Sequence, residues 1–363
     1  MLFIIADYVN IQRLITEDLY RGNRLKNKTS TKEDTLPGVS IIVPTLNSES
    51  TIDECLRSVL ELDYPKHLLE VIVIDGGSTD KTTERAKAHP VKFVYSQLNP
   101  PAAYNLVLKD IENPIIGLVD SDAKVEKQWL MKLVKHLDDP KVAGASGTVE
   151  TWNSDKLVPR VIGYELSYRY RRLPGTVERV ATMNLLLKKK VVMEIGGFDE
   201  ALPTQYDTDI GARLAQAGYR IAFDLEAVCY HFHRPTLQKF FKQQYKYGQN
   251  TWKLYFKHPQ LAKGDKITDW WMNIQPILYA VAFVLLIVSV VTGFHLIPST
   301  IFLALALITT LHYVFSAAKI SVIFHDASAM YLIVIYFTRA VAWTLGGATS
   351  LIRTALTGGE DKP

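Results

Sequence analysis

Short apolar runs alternate with polar, helix-forming stretches through the first two-thirds of the chain. Four of these runs predict strands: Val39–Val43, Val71–Ile74, Val91–Tyr95 and Ile115–Val119. The stretches between them predict helices that run to about Leu62, near Lys81–Ala88 and around Ala102–Asp110. This alternation is typical of an α/β fold, in which a mostly parallel sheet carries helices on both faces. Such sheets bind ligands beyond the carboxyl ends of their strands.

The pattern changes after Asp224, where long apolar segments replace the short ones. No Asp, Glu, Lys or Arg occurs between Asn273 and Ala318. Pro276–Phe294 and Pro298–Ala317 are each long enough to cross a hydrocarbon core, which needs about 20 apolar residues. Only His295–Ile297 connect them, so we expect a transmembrane hairpin. Two helices buried in a protein core are the alternative.

A third apolar segment, roughly Ala327–Ile352, is interrupted by Arg339 and by Gly346-Gly347. It predicts either a third span or an interfacial or kinked helix. A charged side chain in an apolar segment is costly and usually functional, so Arg339 is a candidate partner for a lipid phosphate. Alternatively, its side chain reaches out to the membrane interface.

Basic residues are concentrated just before the first apolar segment. The stretch from Arg234 to Asp269 contains only two acidic residues, Asp265 and Asp269. It contains eight basic residues: Arg234, Lys239, Lys242, Lys246, Lys253, Lys257, Lys263 and Lys266. The positive-inside rule expects this excess on the cytoplasmic flank of a span. The same stretch includes Leu237–Phe256, which predicts a basic, aromatic helix at the membrane surface. A solvated helix face is the alternative.

Overall composition excludes little by itself. The net charge of +4 is too small to indicate nucleic acid binding. Cys55 and Cys229 fit no zinc or redox spacing and are expected to be small buried residues in a reducing compartment. At the N-terminus, apolar residues such as Leu2, Ile5 and Ile11 predict one side of an interfacial helix or, equally, a core helix, and the segment is a poor signal peptide.

These patterns divide the chain into five parts. We expect an N-terminal interfacial helix and linker over residues 1–36, and an α/β domain over residues 37–235. Basic amphipathic helices follow over 236–272, then a transmembrane region of about three helices over 273–356, and a tail over 357–363.

The first candidate for chemistry is Asp120-Ser121-Asp122, directly after a predicted strand. Two carboxylates one residue apart can face one cavity if the backbone turns there. Oxygen ligands suit Mg²⁺ or Mn²⁺, which share their remaining coordination positions with water and substrate phosphates. A turn or a helix cap is the alternative explanation.

Two further loops follow the ends of predicted strands. Asp75-Gly76-Gly77 can accept hydrogen bonds from a nucleobase, and its glycines permit close approach of a ligand to the backbone. A turn followed by a helix cap explains the same residues. Pro44, Thr45, Asn47 and Glu49 follow the first strand and are candidates to line a base or ribose pocket.

Together these motifs carry a family resemblance. Ser40–Asn47 (SIIVPTLN), Val73–Asp80 (VIDGGSTD), Asp120–Ala123 (DSDA) and Gly196–Glu200 (GGFDE) resemble, in order and spacing, the signatures of a family 2 glycosyltransferase with a GT-A (Rossmann-like) fold. The resemblance covers roughly Pro37 to Asp224. The tail is more loosely similar to the membrane-integrated, cellulose-synthase-like branch.

The resemblance implies roles for individual residues. Donor-binding positions would be Pro44, Thr45, Asn47, Glu49, Asp75, Gly76, Asp120 and Ser121, with Asp122 as principal metal ligand. Gly197, Phe198 and Asp199 would shape the acceptor side. Asp207 falls where the family has its general base, although Tyr206 replaces the usual glutamate, which leaves Asp209 open as the base. Both aspartates also suit a second metal pair or a helix start.

The stretch Gln243-Gln244-Tyr245-Lys246-Tyr247 resembles the family's Gln-x-x-Arg-Trp element. Gln243 and Lys246 would then approach the diphosphate, and Tyr247 would stack beneath the acceptor sugar. A basic interfacial helix explains the stretch as well. His231 and His233 stand two residues apart, and His233 is a candidate to reach the metal or the phosphates.

The expected function is an inverting, metal-dependent hexosyl transfer from a nucleotide-diphosphate sugar to a polyprenyl- or dolichyl-linked glycan, as in the assembly of lipid-linked (N-glycan) oligosaccharides. GDP-mannose is the first candidate donor and UDP-sugars the second. We expect a multi-pass protein of the cell membrane with its catalytic domain in the cytoplasm. A processive polysaccharide synthase, for which three spans are few, and a catalytically silent nucleotide-sugar-binding scaffold are the alternatives.

Overall fold

The computed structural model describes residues 36–356 apart from residues 180, 266 and 269. The N-terminal helix and linker predicted before residue 36, and the tail predicted over 357–363, lie outside the described residues.

The described residues form one mixed sheet of nine strands. The strands are β1 Val39–Thr45, β2 Leu69–Asp75, β3 Lys92–Tyr95, β4 Ile115–Leu118, β5 Ala123–Val125, β6 Val142–Thr151, β7 Thr176–Val177, β8 Leu185–Lys188 and β9 Arg220–His231. Their order is β3-β2-β1-β4-β8-β6-β9-β5, with β7 also paired to β9.

The first four strands are parallel, as the alternation of strands and helices predicts. The second half differs, because β8 pairs antiparallel with both β4 and β6 while β9 is parallel to β6. The expectation of a mostly parallel sheet therefore holds for the N-terminal half only. Because β8 runs against β4, it begins at the edge of the sheet where β4 ends, which brings later parts of the chain to the same edge.

Eleven α-helices are described: α1 Ile52–Leu60, α2 Thr82–Lys87, α3 Pro100–Leu108, α4 Trp129–Val134, α5 Leu157–Tyr170, α6 Lys189–Glu194, α7 Tyr206–Gln216, α8 Leu237–Lys257, α9 Trp270–Val291, α10 Leu296–Phe324 and α11 Leu332–Leu356. Short 3₁₀ turns lie at Lys66–Leu68, Thr182–Asn184, Pro259–Lys263 and Ala327–Tyr331.

Helices cover both faces of the sheet, as predicted. Side chains of a strand alternate between its faces, so Ile41 joins one buried cluster and Ile42 the other. The first cluster includes Trp129 of α4, and the second includes Tyr104 of α3. This double cover fixes the strand ends from which the candidate site residues project.

Three segments among the described residues have the length and apolar composition of membrane spans: Trp270–Val291, Leu296–Phe324 and Ala327–Leu356, of 22, 29 and 30 residues. The first two form the predicted hairpin pair. In the third, α11 is a continuous helix through Arg339 and Gly346-Gly347. The polar and glycine positions therefore interrupt the composition of this segment but not its helix.

Glycines allow α8 and α11 to pack at very short distance. A Cβ built on Gly248 would lie 2.5 Å from the carbonyl oxygen of Trp343, and one on Gly346 would overlap the carbonyl oxygen of Tyr245. Close approach through small residues is the usual way in which membrane helices associate. The indole Nε1 of Trp343 also donates a hydrogen bond to Gln244 Oε1 at 2.9 Å. This contact fixes α8, which carries several candidate site residues, against the third span.

We expect Gly346→Ala to destabilise the protein by about 1–3 kcal/mol, because the added methyl group meets backbone that cannot rotate away. Gly347→Ala is the matched control, since its Cβ would lie 3.6 Å from the nearest neighbouring atom, an ordinary contact. Thermal unfolding of the full chain in detergent, followed by tryptophan fluorescence, measures the difference. Equal midpoints for the two variants would contradict this account of the α8–α11 contact.

Candidate active site

The pairing of β5 with β9 brings the acidic loop after β4 to the end of β9. Ala123 lies opposite His231 in the antiparallel register, and the backbone N–H of Phe232 donates to the carbonyl oxygen of Asp122 at 2.8 Å. Ser121 Oγ lies 2.8 Å from Ser48 Oγ, which ties the same loop to the one after β1. Residues far apart in sequence therefore meet beside Asp122.

Asp122 faces two basic side chains, one from the last residue of β9 and one from the segment that follows it. Its Oδ1 lies 3.4 Å from His231 Nε2, and its Oδ2 lies 3.4 Å from a guanidinium nitrogen of Arg234. Burial opposes ionisation of this carboxyl group, but the charges of His231 and Arg234 lower the pKa of Asp122 below its usual value. The group is therefore a carboxylate at neutral pH.

Asp120 differs from its neighbour. Burial and the negative charge of Asp122 raise the pKa of Asp120. The charge of His231 offsets only part of that rise. Its Oδ1 accepts a long hydrogen bond of 3.5 Å from Thr182 Oγ1. A positive charge bound beside both carboxyl groups would relieve their repulsion.

His233 is held rigidly with one ring nitrogen unsatisfied. Asn153 bonds both its backbone N–H and its carbonyl oxygen, at 3.0 and 2.9 Å. Its Nδ1 lies 3.1 Å from His231 Nδ1, whereas its buried Nε2 has no hydrogen-bond partner. Burial and the nearby His231 lower the pKa of His233 well below its usual value, so its imidazole is neutral. A neutral ring with an available nitrogen can bind a cation.

Asp207 lies in the first turn of α7 and faces the same cavity as Asp120 and Asp122. Its Oδ1 accepts the backbone N–H of Thr208 at 2.8 Å. Burial raises the pKa of Asp207, and the positive charge of Arg179 limits that rise. A carboxylate with a raised pKa and access to a cavity has the properties of a general base.

Asp209, two residues further, has a structural environment instead. Its side chain is fully buried and accepts from Arg213 Nε at 2.8 Å, Lys257 Nζ at 2.6 Å and His258 Nε2 at 2.8 Å. Burial opposes ionisation, but these contacts lower the pKa of Asp209. Asp209 is not among the residues that line the cavity. The geometry therefore favours Asp207 over Asp209 as the base.

One face of α8 closes the cavity on the side of the apolar helices. Gln243, Gln244 and Tyr247 line it, at the spacing that places residues on one side of a helix. Lys246 is exposed and is not among the lining residues. The structure thus gathers Gln243 and Tyr247 with the acids but does not gather Lys246, whose approach to a diphosphate stays a prediction.

The predicted base-binding loops lie at the same edge of the sheet but do not line this cavity. Thr45 pairs with Asp75 in the parallel register, and the N–H of Gly76 donates to Thr45 O at 2.9 Å. Asp75 is buried, and its carboxylate accepts from Ser78 Oγ at 2.5 Å and from Thr83 Oγ1 at 3.1 Å. Its side chain therefore orders the loop as well as ending the strand.

The loop after β1 is held in a similar way. Asn47 adopts a left-handed backbone conformation, with φ of 51°, and its Oδ1 accepts the N–H of Thr79 at 2.9 Å. Glu49 Oε2 accepts the N–H of Lys81 at 3.2 Å, and Pro44 is the penultimate residue of β1. The two loops form one unit, and their part in donor binding stays a prediction.

The predicted acceptor segment supports the cavity from behind. Phe198 is buried, with its ring centroid 5.0 Å from that of Tyr104 and 6.4 Å from that of Tyr206, which lines the cavity. Gly197 O accepts from Arg213 at 2.7 Å, and Asp199 pairs with Lys257. None of Gly197, Phe198 and Asp199 lines the cavity itself.

The cavity has a volume of about 470 Å³ and lies between the edge of the sheet, α5, α7, α8 and α11. The sequence-predicted residues that it gathers are Asp120, Asp122, Asp207, His233, Gln243, Tyr247 and Arg339. Residues 40–196 match the family model described as glycosyl transferase family 2. The chain carries a family 2 glycosyltransferase domain.

Two relatives show how far this similarity extends. Glycosyltransferase AglE of Haloferax volcanii is 29% identical over 227 residues, an alignment that covers 59% of this chain and 73% of AglE. Poly-beta-1,6-N-acetyl-D-glucosamine synthase of Staphylococcus aureus is 26% identical over 242 residues, covering 62% of this chain. The matched region is 57% of that synthase, so the chain spans just over half of its length.

Among solved structures, this glycosyltransferase resembles the mannosyltransferase PcManGT from Pyrobaculum calidifontis, whose structure was determined in complex with GDP-Man and Mn²⁺. The TM-score is 0.54 at 21% identity, and the superposition covers 96% of this chain and 97% of that one. The α/β domain therefore shares the GT-A fold, and the superposition also extends over the apolar helices.

The residues of the glycosyltransferase cavity fit a divalent cation bound together with a diphosphate. Among the described residues, no three His, Cys, Asp or Glu side chains form a closed metal site. Asp122 and the unsatisfied Nε2 of His233 nevertheless supply an ionised oxygen ligand and a neutral nitrogen ligand at one cavity wall. Mg²⁺ and Mn²⁺ commonly take few protein ligands and complete their coordination with substrate phosphates and water.

Arg339 adopts neither of the arrangements expected from the sequence. It is buried, and its guanidinium donates to both oxygens of Glu165, at 2.9 and 3.0 Å. Glu165, Arg169 and Arg179 all line the same cavity as the acids, and sequence reasoning missed them. The spacing of Glu165 and Arg169 on one helix was an available signal, whereas nothing in the sequence around Arg179 indicates its position.

We expect Asp209→Asn to lower the free energy of unfolding by about 3 kcal/mol, because it removes the buried carboxylate that pairs with Arg213, Lys257 and His258. Asp207→Asn should leave stability unchanged or raised at neutral pH. The folded-state pKa of Asp207 is raised, so its ionised form opposes folding above the unfolded-state pKa.

Denaturant unfolding of both variants tests this assignment. Asp139→Asn is the control, since its charge pairs with Arg220 at the surface and an asparagine oxygen can still accept the backbone N–H of Lys141. Greater loss of stability in Asp207→Asn than in Asp209→Asn would reverse the structural and catalytic assignments.

Proposed function

We propose that this glycosyltransferase moves a hexose from a nucleotide-diphosphate sugar to a polyprenyl- or dolichyl-linked glycan at the cytoplasmic face of the cell membrane. The observation that carries the proposal is the convergence of Asp122, His233 and Asp207 on one cavity whose far wall is a membrane span. This arrangement suits a water-soluble donor and an acceptor that enters from the membrane.

Mannose from GDP-mannose is the first candidate for the transferred sugar. The similarity in fold to a mannosyltransferase that binds GDP-Man and Mn²⁺ supports this choice. UDP-sugars are the second candidate, because donor-base selectivity depends on the loops around Asp75 and Asn47. The cytoplasmic location is supported by the basic excess before the first span.

Asp207 would remove the proton from the acceptor hydroxyl as its oxygen attacks the anomeric carbon. The bond from that carbon to the diphosphate oxygen breaks in the same step, and the configuration at carbon inverts. Burial favours this role, since a carboxylate with a raised pKa accepts a proton more readily than an exposed one. Tyr206, which lines the cavity beside Asp207, occupies the position of the family's glutamate.

Asp122 and His233 would hold the divalent cation, which when bound offsets the charge developing on the departing nucleoside diphosphate. Gln243, on the wall opposite the sheet, is placed to bind phosphate oxygens. Tyr247 presents an aromatic face to an acceptor sugar, with its hydroxyl kept protonated because burial raises its pKa.

A processive polysaccharide synthase is the second candidate. The similarity to poly-beta-1,6-N-acetyl-D-glucosamine synthase favours it. The two functions differ in the length of the product, since a single transfer yields one added sugar and a synthase yields a ladder.

Asp207→Asn should reduce transfer by about 10²–10⁴-fold, because the acceptor proton loses its base, while donor binding is retained. The assay offers purified full-length protein a panel of nucleotide sugars with Mn²⁺ and a lipid-linked acceptor, and separates the products by mass. Asp139→Asn serves as the matched control with parental activity. Parental transfer rates in Asp207→Asn would remove Asp207 from the mechanism, and a product ladder would favour the synthase.

A further inference from the structure

A second cavity lies beside the catalytic one, at the junction between the catalytic domain and the membrane helices. Its volume is about 350 Å³, and it is bounded by α5, the start of α9, the later part of α10 and α11. Lys319 lies in the last two turns of α10, and Trp271 is the second residue of α9. Both lie at the ends of spans, where lipid headgroups and the aromatic belt of a membrane protein are found.

The described lining of this cavity is strongly basic. It contains Arg169, Arg172, Lys319 and Arg339, and one carboxylate, Glu165. That carboxylate is already engaged by Arg339 through both oxygens and lies 3.9 Å from Arg169 Nε. Four cationic side chains and one carboxylate thus line this cavity, a composition that suits an anionic ligand.

Arg172 and Lys319 approach the same aromatic ring from two different elements. The guanidinium carbon of Arg172 lies 5.0 Å from the ring centroid of Tyr168, and Lys319 Nζ lies 5.5 Å from it. Arg172 also donates a hydrogen bond to the Tyr168 hydroxyl. Cation–π contact holds each cation beside Tyr168, so that an anion bound in the cavity could be contacted from both α5 and α10.

The remaining walls suit the apolar part of a lipid. Phe315 and Ile320 of α10 line the cavity together with Trp271, whose indole Nε1 is buried and has no hydrogen-bond partner. A buried indole N–H normally finds an acceptor, which a phosphate oxygen would supply.

The two cavities share a wall. Glu165, Arg169, Met272 and Arg339 line both of them. A phosphate beside Arg172 and Lys319 would therefore be separated from the cavity of Asp207 by one layer of side chains. A sugar attached to that phosphate could extend into the cavity of Asp207.

We propose that this second cavity binds the phosphate group of the lipid-linked acceptor, with Arg172 and Lys319 as its principal contacts. The inference rests on the proposed function for its occupant. The sequence alone made Arg339 the candidate for the phosphate contact. Glu165 already neutralises the charge of Arg339, so we assign the contact to Arg172 and Lys319 instead.

The test is equilibrium binding of tritiated undecaprenyl phosphate to the full chain in phosphatidylcholine nanodiscs, without donor. The double variant Arg172→Gln/Lys319→Gln should bind the probe about tenfold to a hundredfold more weakly, because two charge-assisted contacts are lost. Lys239→Gln/Lys242→Gln, which removes two exposed charges of α8, is the matched control and should bind as the parent does. Undecaprenol, which lacks the phosphate, should bind the parent weakly.

Retained binding of the nucleotide sugar shows that the double variant is folded. If the double variant does not fold, the same measurement is made with Lys319→Gln alone. Unchanged affinity of the double variant would overturn the proposal. Equal competition by phosphatidylglycerol would also overturn it, because the cavity would then be a general site for anionic lipids. The experiment measures binding and not sugar transfer. Its result therefore does not depend on whether Asp207 is the general base.

Discussion

The close gathering of carboxyl groups in one cavity is the constraint on which the rest of this structure depends. The charges of Asp122 and Asp207 both disfavour ionisation of Asp120, and burial penalises the charge of all three groups. Cations supplied by separate parts of the chain offset this cost. Arg234 and His231 come from the end of β9, and Arg179 from the segment after β7. The mixed second half of the sheet brings those parts of the chain to the end of β4.

The same principle separates two aspartates that the sequence leaves equivalent. Asp207 and Asp209 are two residues apart on one helix, yet only Asp209 meets Arg213, Lys257 and His258. A carboxylate surrounded by cations is stable and chemically inert, whereas one that faces a cavity with a raised pKa is available for proton transfer. The different roles proposed for the two residues thus follow from their partners, which lie as far away in sequence as the end of α8.

Local pattern was enough to predict the parallel half of the sheet, the placement of Asp75 and Asp120 at strand ends and the apolar hairpin. It could not predict the second half of the sheet, because β5 and β7 are too short to carry a pattern and no local pattern encodes the antiparallel pairing of β8 with β4 and β6. Nor could it predict the Arg339–Glu165 pair, whose members are 174 positions apart, or the role of Gly248 and Gly346 in fixing α8. These features depend on tertiary contacts between segments whose local sequences contain no motif that indicates the contact.

The account therefore depends on whether the acidic cavity binds a cation together with a diphosphate. Calorimetric titration of the detergent-solubilised full chain with GDP-mannose, at increasing Mn²⁺ concentration, measures this most directly. The account predicts donor binding that strengthens with Mn²⁺ in the parent and in Asp139→Asn, and that loses this dependence in Asp122→Asn. Donor binding of equal strength with and without Mn²⁺, or an unchanged metal dependence in Asp122→Asn, would contradict it.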